Sequence, residues 1–409
     1  MATPSWREGL GLLREPAFAR LFAARLVSAF GSAMAPIALP FAVLDDLGGA
    51  AGDVGLVIAV GSGAQVAMQL FAGALADRGS RRRQMVGADL LAASAQAAIA
   101  ALLLAGGASL AAVVALHAVA GVAMALHFPA SVGMVPLVVQ RDRLQTANAW
   151  LSIAQATAFG LGAAAGGLIA AFASAGAALA VDAATFAASA LLVAGIRGAA
   201  EQPRAARASL LRDLREGWRE FTAHTWLWAI VLQFSVMLMG WFGAWAVVGP
   251  VVAKQSLGGA ASWGWIAGAQ GLGLVVGGAV AMRVHFSRPM RAATLACLPS
   301  ALVPLLLFPP APVAAIALAA FVAGLGFEIF SVQWNTALHT RVAPEALSRV
   351  SSYDVLGSIA LVPFGEVLAG WGVESIGAPS TLLLAFAGIV VPTLAVLAVR
   401  EVRELGHAG

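Results

Sequence analysis

The chain has 409 residues, of which 60% are hydrophobic and only 11% are charged, and its formal net charge is +4. Because soluble proteins carry about 25% charged residues, this composition excludes the soluble enzymes as a class. The single cysteine, Cys297, excludes an internal disulfide and any metal site built from several cysteines. Most of the chain must face lipid, where only helices and closed barrels satisfy the hydrogen bonds of their backbone.

Apolar stretches of about 20 residues predict transmembrane helices. We therefore predict an all-α integral membrane protein with twelve transmembrane helices. The predicted spans lie at approximately residues 18–44, 53–76, 85–106, 110–138, 144–171, 175–196, 226–252, 259–282, 291–308, 313–338, 349–373 and 378–399.

The basic residues predict the orientation of these spans, because positively charged loops remain in the cytoplasm. When the N-terminus is placed in the cytoplasm, Lys254 is the only one of the 24 Lys and Arg residues that falls outside. An even number of spans with both termini in the cytoplasm follows. The basic residues thus indicate membrane topology, and we expect no nucleic-acid partner.

The longest predicted loop separates two groups of six spans. We predict a six-helix bundle at residues 1–196, a cytoplasmic linker at 197–225 and a second six-helix bundle at 226–409. Within the linker, apolar residues such as Trp218 and Phe221 recur at helical spacing between arginines and glutamates. This pattern predicts an amphipathic helix on the inner leaflet; a helix that binds a partner protein is the alternative.

The two predicted bundles share an internal repeat. Gly63-Ala-Gln65 in the first half corresponds to Gly268-Ala-Gln270 in the second half, and Gly162 corresponds to Gly365 at nearly the same offset. Parallel repeats of this kind imply a pseudo-twofold axis along the membrane normal. We therefore expect two pseudo-symmetric bundles.

Between Gly73 and Arg83 the sequence changes within a few residues from Ala and Leu to dense positive charge. This stretch resembles the loop between the second and third helices of major facilitator superfamily transporters, whose pattern reads approximately G-x-L-A-D-R-x-G-R-R. The resemblance implies the major facilitator fold and a charged latch that biases the inward-closed and outward-closed states. The implied latch residues are Gly73, Asp77, Arg78, Arg81 and Arg82.

A second stretch narrows this resemblance. Phe128-Pro129-Ala130 and the segment from Arg143 to Ala149 are similar to the link between spans four and five in bacterial drug-efflux members of the superfamily, which include macrolide and siderophore exporters. The resemblance implies a bacterial inner-membrane protein that exports a hydrophobic or amphipathic small molecule in exchange for protons. The expected partners are the substrate, protons and the lipid bilayer, and we expect a monomer with no cofactor and no metal.

Ionisable groups within a membrane are costly, and they are therefore candidates for function. Glu328, near the middle of span ten, is the first candidate for exchanging a proton against substrate; a hydrogen bond between helices is the alternative. Glu366 in span eleven is a candidate for relaying protons or for pairing with another span. Asp182 in span six resembles a recurrent aspartate of the related exporters, and either a proton site or a structural hydrogen bond fits it.

Other charged groups have simpler interpretations. Asp354 and Asp89 lie near the cytoplasmic ends of their spans, and we expect each to form an ion pair with a nearby arginine. Arg25 is expected to pair with a buried carboxylate or to extend toward the cytoplasmic surface. His127 precedes a proline that frees a backbone carbonyl, and it is a candidate for proton chemistry or for a structural hydrogen bond.

In the superfamily's arrangement, spans one, four, seven and ten line a central cavity. Polar and polarizable side chains on these spans suit a cavity for bulky apolar ligands. The candidate cavity residues are Arg25, His127, Gln233, Trp241, Ser331, Trp334 and Asn335.

Two alternatives remain open beside proton-driven export. A proton-coupled importer on the same fold would have a cavity rich in paired polar groups. A lipid scramblase or membrane-embedded enzyme would gather its ionisable groups at one membrane face, whereas here they are scattered over several spans. The sequence contains no G-x-x-x-x-G-K-[ST] phosphate loop, which disfavours a pump driven by ATP.

Overall fold

The computed structural model describes residues 11–197, 210–284 and 286–404. Within these ranges, the description does not include the side chains at positions 70, 73, 74, 76–78, 141, 210–216, 344, 345 and 348. The described chain consists of helices and their connections, and its only β-type pairing is an isolated bridge between Leu307 and Pro310.

The chain forms two compact units. The first contains residues 1–47 and 60–206, and the second contains residues 48–59 and 207–409. The α-helices from the start of the chain to the end of the first unit are α1 (Pro16–Ser32), α2 (Ala35–Phe41), α3 (Ala51–Arg78), α4 (Arg81–Leu104), α5 (Leu110–Val138), α6 (Leu144–Phe172) and α7 (Ala175–Ala194). A π-helix at Ala42–Asp46 extends α2, and a 3₁₀ turn at Arg141–Arg143 precedes α6.

Three of these helices begin at a serine that caps them. The side chains of Ser80, Ser109 and Ser174 accept hydrogen bonds from backbone N–H groups in the first turns of α4, α5 and α7, at 3.3, 3.3 and 3.0 Å. A side-chain oxygen at this position satisfies a donor that the helix itself leaves unpaired. These serines therefore fix where α4, α5 and α7 begin.

The second unit contains the remaining helices. They are α8 (Leu210–Ala223), α9 (Thr225–Phe242), α10 (Gly249–Val252), α11 (Ala260–Ala281), α12 (Pro289–Ala296), α13 (Leu302–Leu306), α14 (Val313–Arg341), α15 (Pro344–Ile359), α16 (Val362–Ala395) and α17 (Arg400–Glu404). π-Helices at Gly243–Val248 and Ala253–Leu257 follow α9 and α10, and 3₁₀ turns occupy Leu298–Ala301 and Val396–Ala398.

Eleven helical stretches of the described chain are long and apolar enough to cross a membrane. The last stretch, Arg349–Ala398, has 50 residues; since a helix rises about 1.5 Å per residue, it is roughly twice as long as a bilayer requires. Gly377 interrupts it with a positive φ of 84° and a ψ of 155°. This break separates the eleventh and twelfth predicted spans, so the described residues form the predicted all-α fold, with eleven helical stretches of which the last contains two spans.

Both units bring two helices into backbone contact at corresponding glycines of the internal repeat. A Cβ atom on Gly162 of α6 would overlap the carbonyl oxygen of Phe30 in α1. A Cβ atom on Gly365 of α16 would overlap the carbonyl oxygen of Met239 in α9. Glycine lets membrane helices approach this closely because it has no side chain. The repeat seen in the sequence therefore marks the same kind of helix crossing inside each unit.

The beginning of α3 packs on α16 within the second unit. The backbone N–H of Gly52 donates a hydrogen bond to Oε1 of Glu374 at 2.7 Å. A Cβ atom on Gly55 would lie 2.6 Å from the carbonyl oxygen of Glu366 and 3.2 Å from Cα of Gly370. Glycines thus allow this short segment to lie directly on the backbone of α16.

The linker between the predicted bundles contains α8, which packs on α15. The rings of Trp218 and Tyr353 meet with centroids 5.5 Å apart, and Phe221 lies 6.0 Å from the same tyrosine ring. A Cβ atom on Gly217 would lie only 3.0 Å from the Tyr353 ring and from Cβ of Arg349. Gly217 and the rings of Trp218 and Phe221 therefore attach α8 to α15. The location of α8 on the inner leaflet remains a prediction.

Candidate functional site

A cavity of about 230 Å³ lies within the second unit, between α9, α14 and α15. Its polar groups come from Ser331, Asp354 and Ser358. The rest of the lining is apolar and consists of Ile230, Val231, Phe234, Leu238, Phe327, Phe330, Trp334, Val355 and Ile359. A mostly apolar lining with a few polar groups is typical of small-molecule sites. Two of the predicted cavity residues, Ser331 and Trp334, meet here.

Aromatic rings from α9 and α14 form one wall of this cavity. Phe234 and Phe330 stack with centroids 4.6 Å apart and planes inclined by 8°. Trp334 stacks on Phe330 at 5.9 Å and 12°, and Trp226 meets Trp334 edge-on at 5.5 Å. Phe330 and Trp334 share a face of α14 because they are four residues apart. We call Phe234, Phe330 and Trp334 the aromatic wall.

Asp354 is the ionisable residue of the cavity lining. It is 8% exposed, and its Oδ2 accepts a hydrogen bond from Nε1 of Trp334 at 2.9 Å. Ser358, one turn further along α15, is its second side-chain partner. The predicted ion pair between Asp354 and an arginine is therefore wrong. The rotation of α15 points this carboxylate toward α14, so that an indole and a hydroxyl take the place of the arginine.

Glu328 lies where α14 crosses α11. A Cβ atom on Gly277 would lie 3.0 Å from Cβ of Glu328, and one on Gly278 would lie 3.9 Å from its Oε1. The side chain is half-buried, and in the described ranges no other side chain forms a hydrogen bond or ion pair with its carboxylate. The interhelical hydrogen bond left open by the sequence is thus not formed here. Gly277 and Gly278 of α11 leave space beside the Glu328 side chain and form no side-chain hydrogen bond with its carboxylate.

Glu366 and Asp182, the other predicted proton-coupling residues, are held in the interior. Glu366 on α16 is 2% exposed, interacts with its surroundings, and does not line the cavity. Asp182 on α7 is fully buried in the first unit, and its Oδ2 accepts a hydrogen bond from Nε2 of Gln96 in α4 at 2.8 Å. Its Oδ1 has no hydrogen-bond partner among the described residues and lies beside Gly31 of α1. Asp182 therefore joins two helices through one oxygen.

Asp89, which is fully buried in the first unit, also differs from the prediction. Its Oδ1 lies 2.7 Å from Nδ1 of His127 in α5, and its Oδ2 accepts a hydrogen bond from Oγ of Ser189 in α7 at 2.7 Å. The expected ion pair with a cytoplasmic arginine is wrong, because Asp89 faces the interior between three helices. His127, predicted to line the substrate cavity, is a partner of this carboxylate.

Arg25 lies on α1 in the first unit. Its Nε is buried and makes no hydrogen bond to any residue that the structure describes. The expected pairing with a buried carboxylate is therefore not made through this atom.

The arginines of the predicted latch donate hydrogen bonds to backbone carbonyls inside the first unit. Nη1 of Arg81 donates to the carbonyl oxygen of Gly133 at 2.6 Å, and Nη1 of Arg82 donates to that of Ile196 at 2.7 Å. Ile196 lies just past the C-terminus of α7, where cations are favoured because unpaired carbonyls carry partial negative charge. The backbone places the other predicted latch residues on α3, but their side chains lie outside the description: Gly73, Asp77 and Arg78.

The remaining predicted cavity residues lie around the cavity and do not line it. Gln233 is buried, and its Nε2 donates to Oγ1 of Thr393 in α16 at 3.0 Å. Trp241 is also buried and meets the cavity residue Phe327 edge-on at 5.1 Å. Asn335 is exposed and donates to the carbonyl oxygen of Ser331 on its own helix at 2.8 Å.

Sequence reasoning missed much of the cavity lining. It did not single out Phe234, Phe330 or Ser358, although two signals were available. Phe330 lies four residues before Trp334, and Ser358 lies four residues after Asp354, so each pair shares a helix face. The contact between α9 and α15 depends instead on Gly357, where a Cβ atom would lie 2.6 Å from Cγ1 of Val231. That contact joins distant parts of the chain and has no local signal.

Residues 21–360 match the profile of a family described as Major Facilitator Superfamily. A comparison with curated proteins finds no match.

Solved structures with a similar fold include those of transporters. A crystal structure of a mutant of the nucleoside transporter NupG has a TM-score of 0.76 and 14% sequence identity, and the likeness covers 93% of this chain and 99% of that one. A POT family transporter in complex with 5-aminolevulinic acid has a TM-score of 0.72, 14% identity, and coverage of 93% and 95%. A mutant peptide transporter POT in complex with sulfate has a TM-score of 0.73, 15% identity, and coverage of 95% and 94%. At such identities the likeness concerns the fold alone.

Proposed function

The chain belongs to the Major Facilitator Superfamily and is a multi-pass membrane transporter, and from this premise we propose that it exports a hydrophobic or amphipathic small molecule in exchange for protons. In this proposal the protein works as a monomer in the cytoplasmic membrane of a bacterium, with both termini in the cytoplasm. It alternates between inward-facing and outward-facing states and draws its energy from the proton gradient.

The observation that carries this proposal is the aromatic wall of the cavity between α9, α14 and α15. Phe234, Phe330 and Trp334 line the cavity and stack on one another, and aliphatic side chains supply most of the remaining lining. Such surfaces bind ligands through area removed from water and through stacking, with little demand for a fixed pattern of hydrogen bonds. They suit a substrate that is largely apolar.

Glu328 is the residue that we assign to proton exchange. Its carboxylate is half-buried on a membrane helix and is engaged by no described side chain. A proton can therefore leave or join it without breaking a hydrogen bond inside the protein. It lies on α14 next to Phe327 and one turn before Ser331, both of which line the cavity. In this proposal, substrate in the cavity contacts α14, and the proton binds to Glu328 on that same helix.

Import of a more polar substrate is the second candidate function. The similar solved structures are described as nucleoside, peptide and POT family transporters. The cavity also contains a set of paired polar groups, in which Asp354 accepts hydrogen bonds from Trp334 and Ser358. These groups favour a substrate with polar functions, and the direction of transport distinguishes this candidate from export.

Inside-out vesicles that contain the protein test both candidates. A proton gradient is imposed, a pH-sensitive dye is enclosed, and amphipathic compounds are added one at a time. Export by proton exchange predicts that some compound collapses the gradient only in vesicles that contain the protein. If no compound collapses the gradient, while a labelled nucleoside or peptide moves down its own gradient through the protein, the import candidate replaces export.

A further inference from the structure

We propose that Asp182, in the interior of the first unit, is a permanent proton-binding site: its carboxyl group keeps a proton on Oδ1 and donates it as a hydrogen bond to Oε1 of Gln96. The acid and the amide then form a closed pair with two hydrogen bonds and no net charge. This inference goes beyond the proposed function, in which the exchanged proton belongs to Glu328, and it does not depend on the substrate or on the direction of transport.

The first argument is a pair of buried acceptors without donors. Gln96 and Asp182 are 4% and 0% exposed, and a hydrogen bond of 2.8 Å from Nε2 of Gln96 to Oδ2 of Asp182 already joins them. Oε1 of Gln96 and Oδ1 of Asp182 each have no hydrogen-bond partner among the described residues. Buried polar atoms are normally paired. One proton on Asp182 turns Oδ1 into a donor and gives Oε1 a partner, so it satisfies both oxygens at once.

The hydroxyl group beside this carboxyl group does not supply the missing hydrogen bond. Oγ1 of Thr185 and Oδ1 of Asp182 both lie against Gly31 of α1, at 1.8 and 2.8 Å from the position that a Cβ atom would occupy there. Oγ1 of Thr185 donates to the backbone carbonyl of Asp182 at 2.7 Å. Because a hydroxyl has only one hydrogen, Oδ1 receives none from Thr185.

The packing at Gly31 also leaves no room for another donor. A Cβ atom there would overlap the hydroxyl of Thr185, so not even a methyl group fits between α1 and α7 at this point. A buried water molecule needs a cavity of at least about 10–15 Å³ and two or more polar partners. A proton needs no such space, and it is therefore the ligand that this site can hold.

The helices around Asp182 bring no counter-charge to it. Helices α1, α2, α4 and α6 pack on α7. Asp182 is the only ionisable residue of α7, and α2 and α6 have none. The ionisable residues of α1 and α4 all precede Gly31 and Gln96, the residues that meet Asp182, by six positions or more, which is about 9 Å of helix. They are Arg20, Arg25, Arg81, Arg82, Arg83 and Asp89.

Helix α5 reaches α7 at Phe186, one turn beyond Asp182, but its two histidines face other groups. Nδ1 of His127 lies 2.7 Å from Oδ1 of Asp89, and the ring of His117 lies against Gly61 of α3. An ionised Asp182 would thus be a buried charge without a cation, which is costly in a membrane protein. The neutral acid avoids that cost, and we infer that the proton stays on Asp182 while Glu328 exchanges its own.

Infrared spectroscopy of the full-length protein in lipid nanodiscs tests this proposal, because the C=O stretching band of a protonated acid is separate from the bands of a carboxylate. Spectra are taken at about pH 8, where an aspartate in water is fully ionised. We expect the difference between the unaltered chain and Asp182→Asn to show the loss of a protonated-acid band. The control is Asp142→Asn, at an exposed position in the 3₁₀ turn before α6, which should show the loss of carboxylate bands alone.

A second variant, Gln96→Leu, keeps Asp182 in place and serves if the asparagine variant does not fold. This change removes the N–H group that donates to Oδ2 of Asp182. A C=O group that loses a hydrogen bond has a stronger double bond, so the protonated-acid band should remain in Gln96→Leu and move to higher frequency.

Two outcomes would overturn the proposal. The first is an Asp182→Asn difference spectrum that shows the loss of carboxylate bands, as in the control. The second is a protonated-acid band that does not move in Gln96→Leu. Failure of the proposed function looks different, because the infrared test requires no transported substrate. Absence of substrate-driven proton movement in vesicles would remove proton exchange at Glu328 and leave the proton on Asp182 in place.

Discussion

The two units use their carboxylates in different ways. In the first unit, Asp89 and Asp182 are fully buried, and groups from neighbouring helices hold them at 2.7–2.8 Å. In the second unit, Glu328 is half-buried without a described side-chain partner, and Asp354 lines a cavity. Both units nevertheless cross their helices at corresponding glycines of one repeat. The comparison teaches that similar helix packing supports fixed acids in both units, since Glu366 of the second unit is also buried and engaged, whereas the second unit adds an acid without a described side-chain partner, Glu328.

The largest expected difference is in stability after removal of one acid from each unit. Asp89→Leu leaves His127 and Ser189 unpaired in the interior and should lower the free energy of unfolding by about 3–5 kcal/mol. Glu328→Leu removes a group without a described partner and should change it by less than about 1 kcal/mol. Unfolding by SDS in mixed micelles measures both. Equal losses for the two variants would end the distinction between the units.

Paired glycine substitutions test whether the helix crossings of the two units are equivalent. Gly162→Ala and Gly365→Ala should each lower the free energy of unfolding by about 2–3 kcal/mol, since the new methyl group overlaps a backbone carbonyl. Gly87→Ala in α4 is the control, because a Cβ atom there meets nothing within 4 Å; it should be neutral or slightly stabilising. A large loss at only one of the two repeat positions would show that the crossings differ.

The smallest expected difference concerns two buried glutamines. Gln96 donates to the carboxyl group of Asp182, and Gln233 donates to the hydroxyl of Thr393, while the Oε1 of each lacks a hydrogen-bond partner among the described residues. Gln96→Met should cost about 1–3 kcal/mol because it strips a donor from a buried carboxyl group. Gln233→Met should cost about 0.6 kcal/mol, which is usual for a hydrogen bond between membrane helices. The same SDS titration ranks them, and the reverse order would contradict this account of Asp182.

The fold was largely predictable because it depends on composition and periodicity. Apolar stretches defined twelve spans, although the structure merges the last two across Gly377 into one helical run. The correspondence of Gly162 with Gly365 also reappears as a pair of similar helix contacts. These signals are local in the sequence, and a few small or apolar residues are enough to carry them.

The partners of the polar residues were less predictable. Asp89 and Asp354 were both expected to pair with arginines, and both instead face neighbouring helices, where His127, Ser189 and Trp334 engage them. The rotation of a helix about its axis decides which neighbour a side chain meets, and a helix that is apolar on most sides gives little indication of that rotation. Trp334 was predicted to line a cavity, but its hydrogen bond to Asp354 was not foreseen.

Substrate-driven proton movement in inside-out vesicles, compared between the unaltered chain and Glu328→Gln, tests the central claim most directly. The account predicts that an amphipathic compound collapses the proton gradient with the unaltered chain, and that Glu328→Gln lowers this rate by about 100-fold or more while the compound still binds. The exchange of a carboxylate for an amide of the same shape preserves the packing against Gly277 and Gly278. Undiminished proton movement in Glu328→Gln would contradict the assignment of proton exchange to Glu328.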